Sequence, residues 1–485
     1  ILLRSERNHR GMHIKARHII ILLVLVSGLV NSIAKEYTAE YWQEKGDEFL
    51  QKESFDIALD CYNKSIQLDG TNASVWMKLG QVYSSLGRYP EAHSSYNESI
   101  RLDPDRAEAW FGKGIALANL GEYNESIASF DEAIRLDPKG AISWYSKGLA
   151  LAYLGRYNES LSAMDKAISE DDEFSLAWYN KALLLSDMGR ANESIEALKR
   201  TVEIDGDNED AWFNLGLAFY GVGNYSEASD AYDRALDQNP INAPAWIGKG
   251  EALLGLGRYF ESSDAFSRAA EIGPMQVGDW NNDALALRLA GRYYDSIAAY
   301  NKSIELDPSN AEAYNGQALS YAMIKEYNSS IRLFDKAIEL DSEEMGYWYN
   351  KALAFQEMGN YTEAIAVLKM TVDKHPNCTE CWNRLGLSLV KKEQFSDAIA
   401  AYDKAIEIDP NYLEPWNNRG IAQVLGYEDT TQALKSFDRA IQIDPDCMEA
   451  WVNKAKALKL SDRSTEASYA FEKAKKLGYT GDTST

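Results

Sequence analysis

Cys378-Thr379-Glu380-Cys381 is the one cysteine pair at a spacing that does chemistry. Two thiols separated by two residues can close a local disulfide in an oxidising compartment, or supply half of a four-ligand zinc site. The other two cysteines, Cys61 and Cys447, form no second pair, so no metal is expected. The plainer reading has Cys381 filling a slot for a small residue and Cys378 lying in a loop. Five histidines are present, but His9, His13 and His18 crowd the start, leaving His93 and His375 far apart. The chain holds no G-x-x-x-x-G-K-[ST] phosphate loop, no H-E-x-x-H and no G-x-S-x-G. Neither catalysis nor a cofactor is expected.

Asparagine offers a second chemistry. Eleven Asn-x-Ser/Thr triplets occur, each an acceptor sequence for N-linked sugar. Seven recur at matching positions of a repeat described below: Asn124, Asn158, Asn192 and Asn328, and Asn63, Asn97 and Asn301. Sugar requires export, and the first residues suit it. Arg4, Arg7, Arg10, Lys15 and Arg17 precede an apolar run from Ile19 to Val30, then the small residues of Ser32-Ile33-Ala34. Residues 1–34 read as a signal peptide cleaved after Ala34, or as an uncleaved anchor; Met12 would start a leader of ordinary length. Either places the remainder outside the cytoplasm, secreted or at the cell surface, with membrane contact only through that segment. The net charge of −24 disfavours nucleic acid and anionic lipid and favours a basic partner.

The elements that position these residues are set by a repeat. Tryptophans fall at 42, 76, 110, 144, 178, 212, 246, 280, 348, 382 and 416, every 34 residues, with Tyr314 in the one gap. Trp451 follows after 35, the extra residue lying in the loop around Gly426 to Thr431. This defines about thirteen units, starting near 39, 73, 107, 141, 175, 209, 243, 277, 311, 345, 379, 413 and 448, with tryptophan at the fourth place. In the third unit Trp110, Gly114 and Leu117 share one helical face, Gly121 stops the helix, and Tyr123, Ile127, Phe130 and Ile134 mark a second helix. Pro138 closes the unit. One such hairpin cannot bury its apolar face, whereas stacked hairpins can.

The pattern resembles the tetratricopeptide repeat: tryptophan at place four, small residues at eight, twenty and twenty-seven, glycine at fifteen, an aromatic at twenty-four, proline at thirty-two. The W-Y-N-K-[GA] wording is similar to repeats abundant in archaeal and bacterial proteins. The resemblance implies an all-α, right-handed superhelical solenoid over residues 35–480, with a polar tail at 481–485. Lys325 and Glu393 replace the turn glycine, so those turns are expected to differ. Lysine or arginine often holds place seven, where the family commonly has leucine.

The resemblance also implies that first helices line a concave groove and second helices a convex outside. Places five, six, nine, twelve and thirteen would then face a partner. Place five carries Phe111, Tyr145, Tyr179, Phe213 and Tyr349; place six carries Asn180, Asn214, Asn282, Asn350 and Asn418; place nine is mostly aliphatic. An asparagine row can pair with the amides of an extended peptide, and it is similar to the asparagine ladders of O-linked N-acetylglucosamine transferases. The sugar-acceptor asparagines hold places eighteen and twenty-five, nearly one face of the second helix. Those at eighteen also suit helix capping. The expected function is a non-catalytic scaffold that binds protein segments. A self-associating, glycosylated structural component of the cell envelope, or a non-catalytic subunit of an envelope assembly, is the alternative.

Overall fold

A computed structural model describes residues 38–481. The leader call (1–34) and the last four residues of the tail lie outside them. Among the described residues 26 helices run from α1 (Ala39–Gln51) to α26 (Ser464–Lys476), without a strand. No helix among them is long and apolar enough to cross a membrane. They alternate as hairpins of a first and a second helix. The chain divides into two compact units at Asn239 and Pro240. Repeats one to six lie in the first unit and seven to thirteen in the second. Within each unit, a first helix packs on its own second helix, on the preceding second helix and on neighbouring first helices.

The third repeat, α5 (Ala107–Asn119) and α6 (Tyr123–Leu136), shows how the sequence makes this hairpin. Gly121 takes φ +80°, and the Glu122 N–H reaches back to the Leu117 carbonyl at 2.9 Å. That left-handed residue closes α5 and turns the chain into α6. Phe130 is then fully buried against Gly114, where an added Cβ would sit 2.5 Å from the ring. Glycine at place eight is thus the seat for the aromatic at place twenty-four. Tryptophan recurs for a different reason. Trp110 Nε1 donates to the Pro104 carbonyl at 2.9 Å, and Trp144 Nε1 to the Pro138 carbonyl at 3.1 Å. Each indole ties a first helix to the loop that delivers it.

The turns at Lys325 and Glu393 keep the common geometry, contrary to expectation. They take φ of 64° and 59°, and the next N–H makes the same 2.9 Å bond, Glu326 to the Tyr321 carbonyl and Gln394 to the Leu389 carbonyl. Packing of the flanking helices outweighs the left-handed penalty, about 1 kcal/mol for a residue with a Cβ. The extra residue of the twelfth repeat enters a helix rather than the loop. α23 (Leu413–Tyr427) runs 15 residues where other first helices have 13, and Glu428 supplies the left-handed turn at φ 51°.

Place seven joins one repeat to the next. Lys147 Nζ lies 2.6 Å from Asp131, Lys351 2.5 Å from Asp335, Arg419 2.6 Å from Asp403 and Lys454 2.6 Å from Asp438. Where the earlier position is Lys199 or Lys369, place seven is Leu215 or Leu385. A second lysine there would meet its like.

Candidate functional site

The first-helix face of repeats three to five carries two adjoining cavities. One, of about 380 Å³, lies between α5 and α7 (Ala141–Tyr153) and is lined by Ile115, Asn119, Tyr123, Leu149 and Tyr153. The next, of about 270 Å³, lies between α7 and α9 (Ser175–Asp187) and shares Leu149 and Tyr153, adding Tyr157, Asn180, Leu183 and Asp187. Tyr153 stands between them, 73% exposed, with its ring stacked on Tyr123 at 5.1 Å. An exposed aromatic of that size between two recesses is uncommon on a surface with no partner. Leu149 belongs to the aliphatic row at place nine. Tyr153 holds place thirteen, one of the places expected on the concave face, and its aromatic type is the signal that singles it out there.

The asparagines at place six do not stand free. Asn180 Nδ2 donates to Tyr145 Oη at 3.1 Å and to the Leu176 carbonyl at 2.9 Å. Asn214 Nδ2 donates to Tyr179 Oη at 3.1 Å and to the Asp210 carbonyl at 2.8 Å. Both amide protons are therefore used within the protein, and Oδ1 remains as acceptor. The tyrosine hydroxyls, accepting from asparagine, keep their own protons. Burial raises the Tyr145 and Tyr179 pKa values, with Asp210 adding to the rise at Tyr179. Each pair thus offers one acceptor and one donor, which matches a peptide group.

In the second unit the same place bonds differently. Asn350 Nδ2 donates to Asn315 Oδ1 and Asn418 Nδ2 to Asn383 Oδ1, both at 3.1 Å. Asn282 Nδ2 donates to Glu251 at 3.0 Å. Burial raises the Glu251 pKa, with Asp279 adding and the Asn282 bond opposing. Tyr349 Oη donates to Glu380 at 3.2 Å. Phe111 and Phe213 lean on their own second helices, 5.8 Å from Phe130 and 5.9 Å from Tyr232, so each ring belongs half to the core.

The sugar-acceptor asparagines differ in their neighbours. Asn124, Asn158, Asn192 and Asn328 are exposed. They do not cap. Asn124 is the second residue of α6, whose cap, Glu122, makes no side-chain bond. Asn63 and Asn97 are half-buried, whereas Asn301 is exposed although its Oδ1 accepts from Gln317 of the next first helix at 2.6 Å. Place twenty-five lies toward the following repeat, as Asp131 lies toward Lys147, while remaining partly open to solvent. The partner serines are buried, and all but Ser330 are bonded. Ser126 Oγ donates to the Gly114 carbonyl and Ser160 Oγ to the Gly148 carbonyl, both at 2.7 Å, while Ser99 Oγ donates to the Ala73 carbonyl at 2.8 Å.

Cys378 and Cys381 are bonded, with S–S 1.99 Å and Cα–Cα 5.3 Å. Cys378 caps α21 (Thr379–Lys391), its sulfur accepting the Cys381 N–H at 3.1 Å. Cys381 is fully buried beside Trp348, Leu385, Leu389 and Tyr402. Among the described residues, no group of three or more His, Cys, Asp or Glu is placed to hold a metal ion.

Stacked helical hairpins with this first-helix face define a helical-repeat protein. Tetratricopeptide repeat models match residues 77–141 and 213–276, 141–174, 347–377 and 379–412, and a TPR repeat model matches 46–87, 182–223 and 284–325. The matches together take in more than half of the chain, and the protein belongs to the tetratricopeptide repeat family. Among solved structures it is similar to MamA at 28% identity, over 33% of this chain and 94% of that one, with a TM-score of 0.32. YrrB, described as a TPR protein with an unusual peptide-binding site, is 26% identical over 39% and 96%, with a TM-score of 0.33. Yeast Tom70 is 18% identical over 92% and 93%, with a TM-score of 0.39. No curated protein sequence matches the chain.

Proposed function

We propose that the protein is a non-catalytic scaffold that takes an extended segment of another protein along the first-helix face of repeats three to five. The observation that carries this is Tyr153, exposed between two cavities that share it and Leu149. The Tyr145–Asn180 and Tyr179–Asn214 pairs support it, because each supplies a donor and an acceptor whatever the side chains of the partner. A basic segment fits best, since Asp187 lines the second cavity and the chain carries a net charge of −24.

The basic and apolar leader supports export, to the cell surface or beyond it. In that setting Asn124, Asn158, Asn192 and Asn328 are the proposed sugar sites, being exposed on second helices. Because Ser126 and Ser160 are fully buried, sugar must be added before the repeats close. The exposed acceptors also favour the second reading, a glycosylated, self-associating envelope component.

A photo-crosslinking residue at position 153, with position 158 as control, tests the binding role in the native host. Capture of one protein from 153 and not from 158, lost on Tyr145→Ala with Tyr179→Ala, is the expected result. Equal capture from both positions overturns the groove. Capture only of a second copy favours the envelope component.

A further inference from the structure

We infer that Cys378 and Cys381 form a thiol–disulfide exchange site, in which Cys378 meets thiol reductants and Cys381 is the resolving sulfur. The two lie in the first turn of α21, Cys378 at the cap and Cys381 at the third helical residue. A sulfur in the cap position lies at the positive end of the helix, which stabilises the thiolate and makes it a good leaving group. The Cys381 N–H already points at the Cys378 sulfur at 3.1 Å. A reduced Cys378 thiolate would keep that bond and the helix start would not change.

The two sulfurs differ in access. Cys381 has no exposed surface, packed beside Leu385, Leu389 and Tyr402, whereas Cys378 is partly exposed. The carboxylate within the motif does not oppose a thiolate. Glu380, inside the motif, accepts from Arg384 Nε at 2.8 Å, from Tyr349 Oη at 3.2 Å and from Tyr412 Oη. Its charge is spent on these donors. The other two cysteines compete poorly: Cys61 is buried and far off in sequence, and burial raises the pKa of both Cys61 and Cys447.

The exchange transfers two electrons in two steps. A thiolate of a small thiol or protein dithiol attacks the Cys378 sulfur and forms a mixed disulfide. The bond to Cys381 breaks, and Cys381 leaves as a thiolate that takes a proton from water. A second reductant thiolate then attacks the reductant sulfur of the mixed disulfide. It releases Cys378 as a thiolate at the helix start and leaves the reductant as its disulfide. The reverse sequence oxidises a partner dithiol.

The test uses the full chain with Cys61→Ala and Cys447→Ala, equilibrated across a glutathione series, acid-quenched, alkylated and read by mass spectrometry. We expect reversible conversion between disulfide and dithiol with helicity unchanged. In the same background, Cys381→Ser should trap glutathione on Cys378, and in Cys378→Ser the remaining Cys381 should be labelled about 100-fold more slowly. A pair still oxidised in about 10 mM reduced glutathione overturns the proposal. So does reduction that occurs only with loss of helical circular dichroism, or equal labelling of the two sulfurs. Should Cys381→Ser fail to fold, the glutathione series on the parent decides.

Discussion

Replacing Asp283 with asparagine should stabilise the eighth repeat in mild alkali and leave it unchanged in acid. Asp283 holds place seven of α15 (Val277–Leu289), where other repeats carry a lysine or arginine bonded to aspartate. The position that would answer it is Ser267, not an acid or a base. Asp283 is 5% exposed and its Oδ1 has no hydrogen-bond partner. Burial pushes its carboxyl pKa up to about 7, against the pull of Arg292 and with a small push from Asp295. The folded state thus holds a proton that the unfolded chain gives up near pH 4. Stability from this group is greatest below about pH 4, falls as pH rises, and is lowest above about pH 7. A rise of about three units at about 1.4 kcal/mol each sets the cost of the ionised carboxylate at about 4 kcal/mol. Asparagine has nearly the same shape and no charge, so it removes that cost at about pH 8 and little at about pH 4. Repeat arrays open piecewise, so the assay is hydrogen exchange of the Val277–Leu289 peptides from about pH 5 to about pH 9, corrected for intrinsic exchange rates. Parallel opening free energies for parent and Asp283→Asn across that range would refute the reasoning.

Three further outcomes are expected. Ser126→Ala, losing the bond to the Gly114 carbonyl, should cost about 1 kcal/mol in urea unfolding, whereas Ser330→Ala, whose buried hydroxyl has no partner, should cost nothing or stabilise. Lys325→Gly should stabilise the ninth repeat by about 1 kcal/mol by relieving a left-handed Cβ, read from exchange of the flanking helices. Lys351 is 16% exposed but its partner Asp335 is 55% exposed, so Lys351→Met should destabilise by no more than about 1 kcal/mol, and a double-mutant cycle with Asp335→Leu should give a coupling of that size or less.

The repeat was legible because each marker answers a local demand. Tryptophan at place four bonds six residues back, glycine at fifteen takes the left-handed turn, and glycine at eight seats an aromatic. Those demands recur in every unit, so the sequence repeats them and the helix pairs can be drawn without coordinates. Helical period likewise put Asn124 on an outer face.

What sequence could not settle depends on a residue's partner in the next repeat. Period places Asn301 and Asn328 on similar faces and both are exposed, yet Asn301 also accepts from Gln317 of the following helix. The asparagine row looks like free amides until Tyr145 and Tyr179 are seen to take one proton from each. Asp283 looks like one more surface acid until the neighbouring helices close over it. Local chain geometry is written in spacing, so the sequence by itself determined the helix pairs, their glycine turns and the family, though not the turns at Lys325 and Glu393 or the longer helix of the twelfth repeat. Hydrogen-bond partners, burial and the two cavities arise only when hairpins stack, because each is completed by side chains about a repeat away, and these the tertiary structure alone decided.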